Sequence, residues 1–275
     1  MNNFCRSLFA GMVLMLSAGC ASTANNNLNS LLWMQSSAEY KASAVQTYNA
    51  AFQNIDAALA DRSWTAAMEQ DGDCVSLPPA VVMDIDETVL DNSDYMGRLV
   101  LENGAWSADT WDEWVALQEA AAVPGAIEFI NAMRGKGVRV ILISNRECRK
   151  RSESGEPCPQ QTDTIANLRK AGMLDPGPET ILLKGEEPGW TSEKKSRRER
   201  VAKKYRIVML FGDDFGDFLP GVKSAITPEE RDRLVGEYRG YWGKKWFMLP
   251  NPTYGSWLDI LSEPKSGYIK TYGNK

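Results

Sequence analysis

The fold of this 275-residue chain is decided by the stretch Ala80-Val81-Val82-Met83-Asp84-Ile85-Asp86-Glu87-Thr88-Val89-Leu90-Asp91-Asn92. It begins with a short, continuous apolar run, which is typical of a strand buried on both faces of a sheet. Asp84 and Asp86 follow directly, and alternate residues of an extended chain point the same way. The stretch therefore predicts a buried strand that carries two carboxylates at its carboxyl end.

Apolar runs of the same kind recur along the chain and alternate with amphipathic segments. The predicted strands cover residues 80–83, 138–143, 180–183, 207–211 and 246–249, and the amphipathic segments cover 126–136, 162–171 and 194–204. One long helix is predicted ahead of them, over residues 37–62. This alternation indicates an α/β fold in which a parallel sheet is covered on both faces.

Polar residues follow four of these strands. Ligands of such open sheets bind outside the carboxyl ends of the strands, near a switch in strand order. We therefore expect the functional site at this edge of the sheet. The candidate residues there are Asp84, Asp86, Ser144, Asn145, Arg146, Lys184, Asp213, Asp214 and Asp217.

The composition excludes several classes of protein. Because the chain has 0 histidines, it cannot be a histidine phosphatase or an imidazole-dependent triad hydrolase, and most kinds of zinc hydrolase are excluded too. A net charge of -5 argues against binding of a nucleic acid polymer. Any hydrolytic chemistry of this chain would therefore have to depend on carboxylates and lysines. Clustered carboxylates need a counter-ion, and a hard cation with oxygen ligands is the natural one.

The first residues have the pattern of a targeting segment. Arg6 precedes an apolar run over residues 8–16, and Ser17-Ala18-Gly19 leads to Cys20. This resembles a bacterial lipoprotein signal, although Ser17 stands where leucine is preferred, and simple secretion to the periplasm is the alternative. We expect a signal peptide over residues 1–20, a membrane anchor through lipidated Cys20, a linker over 21–36 and one folded domain over 37–275. Ala21 is not the aspartate associated with inner-membrane retention, which favours the outer membrane if there are two membranes.

The predicted domain contains Cys74, Cys148 and Cys158. Cys148 and Cys158 flank a polar loop that a disulfide could close in an oxidising compartment, and Cys74 would then be a free or buried thiol. Three unpaired cysteines are the alternative. Their spacing matches no metal-binding motif, so we assign them no chemistry.

The motifs at the strand ends resemble those of a known superfamily. DIDETVLDN at 84–92 matches the DxDxT pattern of the haloacid-dehalogenase (HAD) superfamily, and with ISNR, GDDFGDF and NPTYGSW it resembles the bacterial class C acid phosphatases. That group includes surface lipoproteins with 5′-nucleotidase activity. The resemblance implies a HAD-like Rossmannoid three-layer fold with a central parallel sheet and a small, mainly helical cap. It also implies an exported, Mg²⁺-dependent acid phosphatase that acts on phosphomonoesters, including nucleoside monophosphates.

The resemblance also implies roles for the acidic residues. Asp84 would attack phosphorus to give an aspartyl-phosphate, while Asp86 would protonate the leaving oxygen and then activate water. The magnesium ligands would be the Asp84 side chain, the Asp86 main-chain carbonyl and Asp213, and Asp217 would hold a metal-bound water. Asp214 is an alternative ligand. Because Asp86 must be protonated while Asp84 is ionised, we expect activity to peak on the acidic side of neutral.

The phosphoryl oxygens need hydrogen-bond donors and a cation. Ser144 and Asn145 fit the second motif of the superfamily, and Lys194, which follows Glu193, fits the motif lysine better than Lys195 does. Most charges of the surrounding run KKSRRER are expected to be the solvated start of a helix.

For the substrate's organic part, the resemblance implies stacking of a base on Trp106 and Tyr254, with core packing as the alternative for both rings. Trp111 and Trp114 are interpreted as packing residues on an amphipathic helix. Arg146 would either contact phosphate or brace an acidic residue. Two alternatives to the hydrolase remain open at this point: a phosphotransferase that uses the same residues, and a non-catalytic surface-binding lipoprotein.

Overall fold

The computed structural model describes residues 27–152 and 155–273. Its strands are β1 (Pro79–Met83), β2 (Leu90–Asp91), β3 (Ala121–Ala122), β4 (Arg139–Glu147), β5 (Ile181–Lys184), β6 (Arg206–Gly212) and β7 (Trp246–Met248). Its helices are α1 (Leu28–Ser36), α2 (Ala38–Ala60), α3 (Ser93–Leu101), α4 (Ala108–Leu117), α5 (Ala126–Gly135), α6 (Pro159–Lys170), α7 (Lys195–Ala202), α8 (Pro228–Glu237) and α9 (Ser256–Asp259). Short 3-10 turns cover Pro178–Thr180, Phe215–Asp217 and Lys265–Tyr268. The predicted α/β class is confirmed.

A parallel sheet with the strand order β5-β4-β1-β6-β7 forms the centre of the molecule. The chain first passes from β1 to β4 and β5 on one side, and then returns to β6 and β7 on the other side. Met83 of β1 is therefore aligned with Leu142 of β4 and with Phe211 of β6. The switch in strand order lies beside the carboxyl end of β1, where an open sheet of this kind binds its ligand.

Both faces of the sheet are buried, which makes the fold three layers. Val81 and Met83 of β1 belong to a core shared with α2 and α5, whereas Ala80 and Val82 face a second core that contains Trp246. This alternation explains why β1 is apolar at every position, since each side chain points into one of two cores.

A small cap lies between β1 and α5 in the sequence. It consists of α3 and α4 with the antiparallel pair β2 and β3. Tyr95, Met96 and Leu99 of α3 pack with Leu31 of α1 in a separate apolar cluster. The cap is mainly helical, as predicted.

The predicted linker over 21–36 is wrong for its second half, because residues Leu28–Ser36 form α1. Leu31 and Met34 are three residues apart and both are buried. Packing of these side chains therefore stabilises the helix, although the sequence before it is polar. The predicted long helix is α2, and the Ser37 side chain caps it by accepting a hydrogen bond from the Tyr40 N–H at 3.0 Å.

The signal peptide predicted over 1–20, including Cys20, lies outside the described residues. Among the helices that the structure does describe, none is both long enough and apolar enough for a membrane span. Within the folded part, a disulfide joins Cys148 to Cys158, and Cys74 is a buried free thiol. The closed-loop alternative for the cysteines is therefore the one observed.

Candidate active site

Three carboxylates meet at the carboxyl ends of β1 and β6. Asp84, Asp213 and Asp217 each place an oxygen so that all three oxygens lie within 4.8 Å of one another. The Asp84 N–H donates to the Phe211 carbonyl at 3.0 Å, which extends the pairing of β1 and β6 up to the site. Two strands that are far apart in sequence thus bring the acids together.

Gly212, the last residue of β6, allows this approach. A Cβ atom at Gly212 would lie 2.3 Å from the Cβ of Asp217 and 2.2 Å from its Oδ2, which is closer than side-chain atoms pack. The same Oδ2 accepts the Asp214 N–H at 3.0 Å, so the carboxylate is fixed in this position. The glycine is required here because Asp217 lies directly over the backbone.

Lys194 lies between two of the acids. Its ammonium contacts Asp84 Oδ1 and lies 2.6 Å from Asp217 Oδ1. The side chain is buried, whereas Lys195 points to solvent and pairs with Glu199 on the next turn. Of the two lysines considered from the sequence, the structure brings Lys194 into the cluster.

The cluster carries more negative charge than Lys194 compensates. Burial raises the pKa of Asp84 to about 6, with Asp217 and Asp86 adding to the effect and Lys194 opposing it. Burial, together with Asp84 and Asp217, also holds the pKa of Asp213 well above its usual range. A hard divalent cation, which prefers oxygen ligands, would compensate the charge of these buried carboxylates and could bind to them.

Asp213, rather than Asp214, is oriented toward the cluster. Thr88 Oγ1 donates to Asp213 Oδ1 at 3.3 Å, and Asn251 Nδ2 donates to Oδ2 at 2.9 Å. Asp214 instead accepts the backbone N–H of Gly216 at 2.8 Å and of Ser256 at 2.6 Å. Asp214, the alternative metal ligand, therefore binds the backbone of two segments instead. The main-chain carbonyl of Asp86 as a ligand stays a prediction.

Asp86 is bound by donors from two segments, the end of β4 and the residue before α3. Arg146 Nε and Nη2 lie 3.0 and 2.8 Å from Oδ1, and Ser144 Oγ donates to Oδ2 at 3.0 Å. Asn92 Nδ2 donates to Oδ1 at 3.0 Å, and the Asn92 Oδ1 accepts the indole N–H of Trp114 at 2.8 Å. Of the two alternatives for Arg146, the structure shows the one in which it braces an acidic residue.

Ser144 and Asn145, the expected phosphate donors, each have protein partners, and their role toward phosphate stays a prediction. Ser144 is fully buried, and its hydroxyl is engaged with Asp86. Asn145 lines the cavity, although its amide donates to the Ser192 carbonyl at 3.1 Å and its oxygen accepts from Arg197 at 2.7 Å. Arg197 also donates to the Ser144 carbonyl at 2.6 Å, so it fixes the whole β4 end.

The expectation that most charges of KKSRRER are solvated is wrong. Lys194, Arg197 and Arg198 are buried, and Arg198 binds Glu69 with a 2.6 Å contact. The helix that carries them packs against the strand ends, so its first turn faces protein on one side rather than water.

These groups open into one cavity of about 500 Å³. Its floor is formed by the carboxylates and Lys194, and its upper wall is aromatic. The residues that line it are Asp84, Asp86, Tyr95, Met96, Trp106, Trp111, Asn145, Arg146, Lys194, Asp213, Asp214, Asp217, Lys223, Tyr254, Gly255, Ser256 and Asp259. A charged floor beneath an aromatic wall suits a small ligand with an anionic end and an apolar end.

Trp106 and Tyr254 both line this cavity, and Trp106 is 61% exposed, which is inconsistent with the alternative that it belongs to the core. The interpretation of Trp111 as a packing residue alone is wrong, since it also lines the cavity while packing edge-to-face on Tyr95. Trp114 packs against the main core and supports Asn92, as described above.

The model of the HAD superfamily, subfamily IIIB (Acid phosphatase), matches residues 13–257 of this chain. The chain belongs to this family. The resemblance inferred from the four motifs is thereby confirmed, and so is the HAD-like three-layer fold.

Solved structures of similar proteins support the assignment to subfamily IIIB. The class C acid phosphatase from Bacillus anthracis is 34% identical over 84% of this chain and 86% of that one, with a TM-score of 0.71. A class C acid phosphatase from Bacillus anthracis with tungstate bound is 31% identical over 90% of this chain and 97% of that one, with a TM-score of 0.75.

Two plant proteins are also similar to this chain. The Stem 31 kDa glycoprotein of Glycine max is 29% identical over 63% of this chain and 58% of its own length. Acid phosphatase 1 of Solanum lycopersicum is 28% identical over 63% of this chain and 57% of its own length. The match thus spans less than three fifths of either plant protein.

Two residues of the candidate active site were not predicted from the sequence. Asn251 holds Asp213 and belongs to NPTYGSW, so its motif was noticed but its role was not. Lys223 lines the cavity, and its aliphatic stem lies on Gly216 so closely that a Cβ there would be 2.6 Å from it. Lys223 follows no strand and belongs to no motif, so no sequence signal identified it.

Proposed function

We propose that this protein is a phosphomonoesterase that hydrolyses small phosphate monoesters through a covalent intermediate on Asp84. One observation carries the proposal: Asp84 and Asp86 line the same cavity, yet their side chains are bound by different residues. Asp84 contacts Lys194, whereas Asp86 is braced by Arg146 and Ser144. Two carboxyl groups with separate surroundings suit two roles, a nucleophile and an acid/base.

In the first half of the reaction, an Asp84 carboxylate oxygen attacks phosphorus and the bond from phosphorus to the leaving oxygen breaks. Protonated Asp86 gives its proton to that oxygen, so the alcohol leaves neutral. In the second half, Asp86 takes a proton from water, and the water oxygen attacks phosphorus. The bond to Asp84 then breaks, which releases phosphate and restores both side chains.

The carboxylate cluster is proposed to hold Mg²⁺ through Asp84, Asp213 and Asp217. When bound, the ion would supply positive charge against the phosphoryl oxygens. The chain's own contribution is orientation. Lys194 fixes Asp84 relative to Asp217, while Thr88 and Asn251 hold Asp213 toward the same point.

The aromatic wall supports nucleoside monophosphates as substrates. A base that stacks on Trp106 or Tyr254 would contribute about 1–3 kcal/mol, and stacking tolerates different bases because each has a π-face. The related Bacillus anthracis enzyme with tungstate bound supports the phosphoryl part of this proposal alone, since tungstate and phosphate are both tetrahedral oxyanions.

We also propose that the protein is exported and anchored to a membrane, favouring the outer membrane, through a lipid on Cys20. The support is the charged, apolar and small-residue pattern that ends at Cys20. In cells, Cys20→Ser protein is expected to lose incorporation of a labelled fatty acid and to leave the membrane fraction. Unchanged membrane association would contradict the anchor.

The deciding experiment is phosphate release from a panel of phosphomonoesters at pH 5 to 7, with and without Mg²⁺. Nucleoside monophosphates, phenyl phosphate and glycerol phosphate should all be included. We expect metal-dependent release, fastest on the acidic side of neutral, that is lost in Asp84→Asn. Glu39→Gln, a change of the same kind on the surface of α2, is the matched control and should keep full activity. No release from any of the esters would contradict the proposal.

A further inference from the structure

The loop after β4 connects the strand end at the active site to the cap. It leaves β4 at Cys148, whose N–H donates to the Lys184 carbonyl at 2.8 Å, and it returns at Cys158, directly before α6. The disulfide between these two cysteines closes the loop at its base. Two arginines on the first part of this loop, Arg149 and Arg151, reach across to the cap.

Arg151 joins α4 to α6 with one guanidinium. Its Nε and Nη2 lie 2.9 and 2.8 Å from the two carboxylate oxygens of Asp112 on α4, and its Nη1 lies 2.6 Å from Asp163 on α6. Both aspartate side chains are only 14% exposed. A bidentate contact between a guanidinium and a carboxylate fixes orientation as well as distance, particularly where water is largely excluded.

Arg149 adds a second link to the same helix. Its Nη2 donates to the Ala108 carbonyl at 2.8 Å and to Asp109 at 2.9 Å, at the beginning of α4. Gln160 connects the two links, because it accepts the Arg149 N–H at 3.0 Å and donates to Asp112 at 2.9 Å. The start and the middle of α4 are therefore both attached to the closed loop.

A neighbouring side of α4 faces the cavity. Trp111 lines it, and Trp106 lines it just before the helix begins. The Tyr95 hydroxyl and Thr110 Oγ1 lie 3.0 Å apart, which joins α4 to α3 beneath this wall. The helix thus contacts the loop and also lines the place where a substrate's organic part would sit.

We propose that Arg151, held by the disulfide-closed loop, is a positioning residue that sets the wall formed by Trp106 and Trp111 against an aromatic leaving group. The inference rests on the proposed phosphomonoesterase function and extends it to the basis of selectivity. Arg151 does not line the cavity, and the ion pairs of its guanidinium are with Asp112 and Asp163. Its effect should therefore fall on recognition of the organic part and not on phosphoryl transfer.

The test compares an aromatic with an aliphatic phosphomonoester on Arg151→Gln protein. For phenyl phosphate and a nucleoside monophosphate we expect KM to rise by about tenfold with kcat nearly unchanged, because a displaced wall weakens binding without touching the reacting atoms. For glycerol phosphate, which is too small to use the wall, both constants should stay within about twofold. Arg98→Gln is the matched control, since Arg98 pairs with Glu102 and Glu113 on the exposed side of the cap.

Two further variants test the same proposal if Arg151→Gln protein folds poorly. Asp112→Asn removes the other half of the pair and should give the same split between substrates, while Arg151→Lys, which keeps the charge, should recover part of the lost affinity. Equal losses on aromatic and aliphatic esters, or no change on either, would overturn the proposal. If the unmodified protein released phosphate from neither ester, the proposed function would fail instead.

The loop closure has its own measurement. A dithiol reductant would convert the disulfide to two thiols while being oxidised to its cyclic disulfide, and Cys148→Ser/Cys158→Ser protein would lack the bridge permanently. Both should raise KM for phenyl phosphate by about three- to tenfold and leave glycerol phosphate within about twofold. Cys74→Ser protein treated in parallel controls for the buried thiol. A reduced protein with an unaltered KM for phenyl phosphate would remove the loop from the proposal.

Discussion

Arg146 binds Asp86 through two nitrogens of a guanidinium that is 1% exposed, with Nη2 2.8 Å and Nε 3.0 Å from Oδ1. Replacing Arg146 by alanine would leave Asp86 without its buried counter-charge and without a fixed orientation. We expect kcat to fall by about 100-fold or more, since a positioned acid/base is worth that much. Arg146→Lys should recover only part of the rate, because an ammonium cannot reproduce the planar fork. A kcat for Arg146→Ala close to that of the unchanged protein would refute the role of the pair.

Lys194 and Lys195 provide a matched comparison on adjacent residues. Lys194→Ala leaves Asp84 and Asp217 buried without their shared cation, and we expect kcat to fall by about 100-fold or more. Lys195→Ala removes an exposed pair with Glu199 and should change kcat by less than about twofold. Steady-state kinetics with a small phosphomonoester measure both. The assignment of Lys194 as the motif lysine would be withdrawn if the two variants behaved alike.

Gly212→Ala tests the close approach of Asp217 to the end of β6. The new methyl group would occupy space that the Asp217 side chain now fills, so the carboxylate must move away from Lys194. We expect a loss of about 100-fold in kcat, together with weaker Mg²⁺ binding measured by calorimetry. Gly135→Ala is the control, because a Cβ at Gly135 meets no atom within 4 Å. Wild-type kinetics in Gly212→Ala would mean that Asp217 can be displaced without consequence.

The raised pKa of Asp84 predicts a pH-dependent stability of the metal-free protein. Its pKa rises from 3.8 to about 6 on folding, so between these values the folded state holds a proton that the unfolded chain has lost. The stabilisation that this group provides is therefore fully present below about pH 4 and is lost as pH rises from about 4 to 6, by on the order of 3 kcal/mol. Asp213 has its pKa shifted in the same direction and adds to the slope.

Mg²⁺ should reverse that loss, because a cation competes with protons for the same carboxylates. We expect excess Mg²⁺ to raise Tm at pH 7 much more than at pH 5, when measured after removal of metal by a chelator. Asp213→Asn should weaken this difference. A chelated protein with the same Tm and the same activity as the Mg²⁺-loaded protein at both pH values would contradict the metal site.

Asp112 predicts the opposite pH response in the cap. Burial would raise its pKa, but hydrogen bonds from Arg151 and Gln160 outweigh burial and lower it below the usual 3.8. The stabilisation by this group is therefore present above about pH 4 and is lost as pH falls through the lowered pKa. We expect Asp112→Asn to cost about 1 kcal/mol at pH 7 and the difference to shrink as pH falls below about 4 in denaturant unfolding. Asp56→Asn, at an exposed pair with Lys136, should show no such trend.

The strands and the principal acids could be predicted from the sequence because their signals are local. An apolar run followed by Asp84 and Asp86 needs no partner to be recognised, and the same holds for the run before Asp213. The choice of Lys194 over Lys195 rested on a preceding glutamate, and the structure places it between two acids.

The errors concern residues whose surroundings are made by distant segments. Arg197 and Arg198 look like ordinary helix-surface charges until β4 and the segment around Glu69 are packed against them. α1 was missed because a polar stretch precedes it and its buried side chains pack against distant segments, α3 among them. Trp111 faces both Tyr95 and the cavity, and helical spacing cannot show which side of a helix a ligand will use.

The hydrogen-bond chain from Trp114 through Asn92 to Asp86 has a consequence for engineering new selectivity. Grafting a foreign cap onto this scaffold would exchange α4 and its aromatic wall, which makes the cap an obvious module for redesign. The graft would also remove the indole N–H that orients Asn92, and with it one of the supports of the acid. A chimaera that keeps a donor at position 114 should therefore turn over its new substrates, whereas one that places an aliphatic residue there should bind them and react slowly.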